Sequence, residues 1–257
     1  MRTLALLACF AGAALAAESA NPTPEQIDAI VNRFAAKEAE FAKARGNYTY
    51  RQTSKIQEMD ENGSPHGRYE MVSDIIFSPE GKRTERVVRA PVSTLQNIIL
   101  TPEDEQDLRD VQPFVLTTNE IPQYFIRYLG HQQLDEIPCY TFAVKPKKME
   151  QGKRYFEGQI WVDDKDMQIV KTYGRGIGLL KRNSDNQFPK FETYREQIDG
   201  KYWFPTYTIA NDTLHFKDSS QTIRLTVKYE DYKQFKSESV IKYSDTEPEP
   251  KPEPKKP

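Results

Sequence analysis

The stretch Tyr155–Gly174, YFEGQIWVDDKDMQIVKTYG, decides how the rest of the chain is read. Side chains of a strand alternate. Phe156, Ile160 and Val162 therefore share one side of an extended chain, and Tyr155, Glu157, Gln159 and Trp161 the other. The charged DDKD turns the chain, and MQIVKTYG runs back. The result is a hairpin with one dry and one wet face, and it holds no nucleophile paired with a base. A chain whose clearest segment is a sheet without chemistry points to a surface that holds something apolar.

The same alternation extends outward in both directions. Downstream, QTIRLTVKYEDY puts Ile223, Leu225, Val227 and Tyr229 on one face, and IDGKYW carries an Asp-Gly hairpin signal. Upstream, Tyr140, Phe142 and Val144 share a face, as do Met71, Ile75 and Phe77. Runs of this kind, separated by Gly, Pro, Asn and Asp, predict an antiparallel meander of about ten strands. They exclude a doubly wound sheet, which needs a helix between successive strands. The expected fold is mainly β: a strongly curved antiparallel sheet, or half-barrel, whose concave face is covered by one long N-terminal helix and short helices.

That helix is legible on its own. Thr23-Pro24-Glu25-Gln26 has the form of a capping box, and Ile27, Ile30, Val31, Phe34 and Phe41 follow at helical spacing. Gly46 is expected to close it in the left-handed conformation. The break in the strand rhythm at STLQNIILTPEDEQDLRDVQPFVL, where Thr101-Pro102 looks like a helix start, predicts one or two short helices near residues 93–112.

The two ends read differently from the middle. Met1-Arg2, an apolar run from Leu4 to Leu15 and Ala14-Leu15-Ala16 predict a secretory signal peptide over residues 1–17, hence export to the periplasm of a Gram-negative-type bacterium. Leu6-Leu7-Ala8-Cys9 offers the competing reading of a lipidated cysteine. The apolar run continues past Cys9, where a lipidation site would end it, so anchoring there is disfavoured. No later run reaches the roughly 18 apolar residues of a membrane-spanning helix. Residues 22–243 are expected to form a single domain. From 244 to 257, EPEPKPEPKKP alternates Pro with charge and predicts an extended tail, either a plain disordered end or a docking peptide for an envelope protein.

The remaining side chains offer little for catalysis. The net charge of −2 gives no basic stripe for nucleic acid. His66, His131 and His215 lack ligand spacing, and Asp163, Asp164 and Asp166 lack the Gly and distal Glu of a calcium loop, so no metal or cofactor is expected. Cys139 is left without an internal partner once Cys9 is removed, and reads as a small buried hydrophobe.

Gly158, Ile160, Trp161, Val162 and Asp163, followed by Ile169, Val170 and Lys171, resemble the hairpin of the LolA-like outer-membrane lipoprotein-sorting family. Ile198–Thr206, IDGKYWFPT, resembles that family's strand in which a Gly turn precedes an aromatic and a Pro, and the likeness runs over residues 24–233. The resemblance implies a half-barrel lidded by helices, a cavity for acyl chains, lipid or lipoprotein as the partner, and no catalytic residue. The Pro-rich tail is not a feature of the family. On this basis Phe34, Met71, Ile75, Phe142, Ile160, Val162, Leu225 and Val227 are the expected walls of an acyl-chain cavity between sheet and first helix. The same residues would serve an ordinary core, so an open and a self-filled interior both remain possible.

Overall fold

The computed structural model describes residues 21–77, 82–180 and 188–234. The expected signal peptide with Cys9, and the Pro-rich tail, lie outside the described residues. The first element is helix α1, Pro24–Arg45. The Thr23 hydroxyl accepts from the Gln26 N–H at 3.3 Å, and the Gln26 side chain accepts from the Thr23 N–H at 2.8 Å, which completes the capping box. At the other end the structure corrects one expectation. Gly46 sits in the right-handed region with φ −59°. The N–H groups of Gly46 and Asn47 bond back to Lys43 and Ala44, so a tightened last turn closes the helix with no left-handed residue.

Ten strands follow: β1 Tyr48–Met59, β2 Pro65–Phe77, β3 Arg83–Arg89, β4 Tyr124–Leu134, β5 Ile137–Pro146, β6 Arg154–Asp163, β7 Ile169–Gly178, β8 Phe191–Gln197, β9 Trp203–His215 and β10 Ser220–Gln234. All belong to one sheet in the order β3-β2-β1-β10-β9-β8-β7-β6-β5-β4, and every neighbouring pair is antiparallel. The predicted Asp-Gly turn between β8 and β9 is present, with Gly200 at φ +73°, which a residue lacking Cβ adopts without strain. Between β3 and β4 the chain crosses from one edge of the sheet to the other. This crossover, residues 90–123, carries helix α2, Pro102–Gln106, a π-helical turn at Asp107–Val111 and a 3₁₀ turn at Ile121–Gln123.

The sheet is strongly curved. Nine strand spacings of about 4.8 Å would hold the edges of a flat ten-stranded sheet ~43 Å apart. Yet Arg83 of β3 and Tyr124 of β4 line one cavity of about 390 Å³. The expected half-barrel is therefore what forms, open along its edges and filled from inside by α1 and the crossover.

Register defines the inner face. One row of paired residues starts at Tyr128 and Phe142 and passes through Ile160 to Thr172, Thr193 and Thr208. It continues through Val227 and Ser54 to Met71. The row is apolar at the β4–β6 end and hydroxyl-rich in the middle. That change decides which elements pack against each half.

Candidate functional site

Two elements cover the inner face, and they attach by different means. α1 lies on it through an apolar stripe. Phe34 and Phe142, both fully buried, pack with ring centroids 5.4 Å apart. Phe41 meets Phe204 edge-on at 5.1 Å. The helix thus runs from β5 towards β9, and a hollow of about 560 Å³ lies between its N-terminal half and Tyr128, His131 and Tyr140 of β4 and β5.

The crossover buries Leu108, Val111, Phe114 and Leu116 in the core and is clipped down as well by charge and hydrogen bonds. Glu58, fully buried on β1, accepts the backbone N–H groups of Gln96, Asn97 and Ile98 at 2.8, 2.6 and 2.8 Å. Gly67 on β2 leaves room for this carboxylate, since a Cβ there would overlap Glu58 Oε2. Asp107 receives a two-pronged contact from Arg154 on β6, Nε to Oδ1 at 2.8 Å and Nη2 to Oδ2 at 2.6 Å. Gly176 on β7 makes space for it, because a Cβ there would overlap the Asp107 carboxyl. Thr193 Oγ1 donates to the Gln112 carbonyl at 2.9 Å, and Arg195 Nη2 donates to the Phe114 carbonyl. Arg195 also holds Glu38 of α1 at 3.1 Å, and Glu38 accepts the Ile169 N–H at 3.0 Å. One buried ion pair therefore joins helix, sheet and crossover.

Burial raises the proton affinity of three carboxyl groups in this region. It pushes the Glu38 carboxyl up despite the opposing Arg195 guanidinium and the Ile169 N–H. It pushes Asp107 up to about 6 against the pull of Arg154. Asp104, which accepts from the Thr101 backbone and hydroxyl, is also raised by burial. In each case desolvation of the charged form outweighs the favourable partners.

Because the crossover is tied at a few points, space remains beneath it. A cavity of about 410 Å³ lies between residues 97–112 and strands β1, β8, β9 and β10. Its walls are mainly apolar, with Ile56, Ile98, Leu100, Leu108, Phe191 and Leu225 prominent. Asp104, Asp107 and Gln112 contribute polar groups. A second cavity, about 390 Å³, lies on the other side of the π-helical turn, among Arg45, Arg83, Arg154 and aromatic rings. A π-helical segment between two cavities fits the frequent occurrence of such segments at functional sites.

The residues named from the sequence divide between these regions. Phe34, Ile75, Phe142, Ile160, Val162, Leu225 and Val227 are buried in one apolar cluster. Met71 is half-buried beside Tyr69, whose hydroxyl lies 3.4 Å from its sulfur. Leu225 alone among the eight lines the 410 Å³ cavity. The buried charges Glu38, Glu58, Asp107, Arg154 and Arg195 went unrecognised in the sequence. A signal existed: Glu38 occupies a position on the apolar stripe of α1, four residues after Phe34 and three before Phe41. Glu58 and Arg195 likewise sit at inward positions of β1 and β8.

The other reactive types are placed as follows. Cys139 is buried, and burial together with Asp163 and Asp164 pushes its thiol up to about 12, which leaves it a small apolar filler. Asp163 Oδ1 accepts the N–H groups of Lys165 and Asp166 and so closes the hairpin turn. His131 Nε2 lies 2.8 Å from Asp164 on a part-exposed surface. Among the described residues no three His, Cys, Asp or Glu side chains converge as a metal site, and no helix is long and apolar enough to cross a membrane.

No family model matches the chain, and no curated protein matches it. Among solved structures it is similar to a DUF1329 family protein from Desulfovibrio piger, at 11% identity and TM-score 0.39, covering 81% of this chain and 92% of that one. It is also similar to a LolA superfamily protein from Nitrosomonas europaea, at 13% identity and TM-score 0.36, covering 80% and 92%. A third is an outer membrane lipoprotein-sorting protein domain from Vibrio parahaemolyticus, at 11% identity and TM-score 0.35, covering 81% and 94%. The second and third carry the names of the group that the hairpin and the IDGKYWFPT strand resemble. The architecture itself rests on the strand order and register given above.

Proposed function

We propose that this chain is an exported, non-enzymatic carrier or binder that holds an acyl chain in the cavity of about 410 Å³ beneath the crossover. The observation that carries the reading is that cavity: a mainly apolar space of ligand size, next to a segment held by a handful of polar clips. Small-molecule pockets span roughly 300–1,000 Å³, and an apolar cavity of about 150 Å³ already takes up benzene. Burial of apolar surface at about 25 cal/mol per Å² supplies the driving force. Leu225 belongs to the proposed wall, and the other residues named from the sequence form the packed layer that continues from it. Periplasmic location, a lipid or lipoprotein as cargo, and the absence of catalysis belong to the same proposal.

The test is native mass spectrometry of gently purified protein together with titration of a fluorescent fatty acid. Binding that is lost in Leu108→Trp, which fills the cavity, supports the reading. Absence of both co-purified lipid and fatty-acid binding overturns it.

A second reading, an envelope interaction module, draws on a different observation. Along β3 and the start of the crossover, Val87 and Val88 are about half exposed, and Val92 and Ile99 are 91% and 88% exposed. An unpaired edge of this kind accepts an added strand. Val88→Lys and deletion of residues 245–257 separate the routes. Loss of a partner complex in either, with fatty-acid binding intact, favours this second reading.

A further inference from the structure

We infer that the second cavity is a receptor for an oxyanion, carboxylate or phosphate, carried on a small apolar or aromatic body. The inference stands apart from the acyl-chain reading, because the two cavities lie on opposite sides of the π-helical turn and share no apolar wall.

The charge pattern is the first ground. Five basic side chains line this cavity of about 390 Å³ against two acidic ones, Asp110 and Glu120. Four of the five have a carboxylate of their own. Arg154 is paired with Asp107, Arg83 with Glu85 at 3.1 Å, Arg109 with Asp110 at 3.1 Å and Lys153 with Glu150 at 2.5 Å. Arg45 is the exception: among the described residues no carboxylate lies within ion-pair distance. Its guanidinium instead faces the rings of Phe41 and Phe77 at 5.9 and 5.7 Å. Burial lowers its proton affinity, so its charge is held at a cost.

Unused donors are the second ground. Arg45 Nε, Arg83 Nε and Arg154 Nη1 are all buried without a hydrogen-bond partner. All three residues line this one cavity. Arg83 spends Nη1 on Glu85 and Nη2 on Gln52, and Arg154, only 3% exposed, stacks over the Phe188 ring at 3.7 Å. Each side chain is thus locked by contacts that leave a donor over. Buried donors are rarely left unpaired, and each of these three belongs to a residue on the cavity wall, so a small side-chain rotation would turn it towards an acceptor oxygen placed there. Guanidinium groups suit such oxygens because their N–H groups are planar and fixed in direction.

The walls give the third ground. Tyr50, Phe77, Phe114, Tyr124, Tyr155 and Phe156 are the aromatic part of the lining. Their rings provide surface that a bare anion would not contact, so the ligand has an apolar body behind its charge. Glu120 is engaged elsewhere, its Oε2 accepting the Thr117 N–H at 2.8 Å.

The experiment is calorimetric titration of the mature chain with three probes: phenyl phosphate, inorganic phosphate and neutral benzyl alcohol. Phenyl phosphate should bind at least ~10-fold more tightly than benzyl alcohol, with the advantage falling as salt is raised. Arg45→Met and Arg83→Gln should each remove most of that advantage and leave benzyl alcohol unchanged. Arg45→Met should also melt no lower than the parent, because it deletes an unpaired desolvated cation. Inorganic phosphate binding as tightly as phenyl phosphate, and lost in the same variants, assigns the site to the free anion and overturns the apolar body. Equal binding of phenyl phosphate and benzyl alcohol to the parent overturns the inference, as does an undiminished advantage in both variants. Fatty-acid binding to the first cavity is read separately through Leu108→Trp, so either proposal can fail alone.

Discussion

The helix and the crossover cover the same sheet, but they hold to it with different proportions of apolar and polar contact. Under α1 the contact is mainly rings and aliphatic side chains, with Phe34, Ala35 and Phe41 excluded from water and one buried ion pair, Glu38–Arg195. Under the crossover buried Leu108, Val111, Phe114 and Leu116 share the contact with many more carboxylates, guanidinium groups and carbonyls. Apolar surfaces gain by touching everywhere, and so they close up. Polar clips gain only where donor meets acceptor. The two cavities lie along the crossover, and the hollow beside α1 is confined to its N-terminal half, away from Phe34 and Phe41.

The contrast breaks most visibly on the helix side. Phe34→Ala should cost about 3–5 kcal/mol in urea unfolding, as truncations of buried aromatic residues do. An effect under ~1 kcal/mol would mean that the helix is dispensable to the core.

A pH series tests the crossover side. Asp107 binds its proton more tightly folded, at about 6, than unfolded, near ~3.9. Its stabilising contribution is therefore full below the unfolded value and lost as pH rises through the folded one. At ~1.4 kcal/mol per unit the loss is at most about 3 kcal/mol. Asp107→Asn should flatten stability over that window. The slope left over belongs to Glu38 and Asp104, whose raised affinities act in the same direction. Asp104, Asp110 and Arg154 are the charged neighbours that set the midpoint.

Gly67→Ala sharpens the comparison at a single Cβ. It would collide with the Glu58 carboxylate and the Thr94 carbonyl. We expect a cost of about 1–3 kcal/mol, as for overpacking. Amide exchange should accelerate at Gln96, Asn97 and Ile98 while the α1 amides keep their relative protection. Equal acceleration in both regions would show that the crossover is not fastened independently.

The smallest effect on stability is expected inside the first cavity. Leu225→Phe adds volume where room exists, so unfolding should shift by less than ~1 kcal/mol in either direction. Fatty-acid affinity should nevertheless fall several-fold.

The same contrast explains what the sequence disclosed. The helix was legible because Ile30, Phe34 and Phe41 repeat at a helical period, and the strands because Phe142, Ile160 and Leu225 alternate. Both are local rhythms. The crossover was legible only as a break in rhythm and a helix start at Thr101. Its fastenings join Glu58 to residue 97 and Asp107 to Arg154, and such pairings leave no periodic trace. The cavities follow from those fastenings, so the eight residues named from the apolar pattern identified the packed cluster and touched the first cavity only at Leu225. Gly46 misled for a related reason: a glycine after a helix favours a left-handed end, but the tightened last turn leading into β1 at Tyr48 made one unnecessary.

The strand order carries one more consequence. β1 and β10, the earliest and latest strands among the described residues, are hydrogen-bonded neighbours inside the sheet, with Tyr48 facing Gln234. A chain that emerges amino end first must keep β1 waiting, one side unzipped, until nearly the whole polypeptide has followed. Contacts so remote along the chain form slowly. The first cavity, walled in part by Ile223 and Leu225 of β10, is therefore a late product of assembly, and a nascent chain cut short of its final strand would lack that wall.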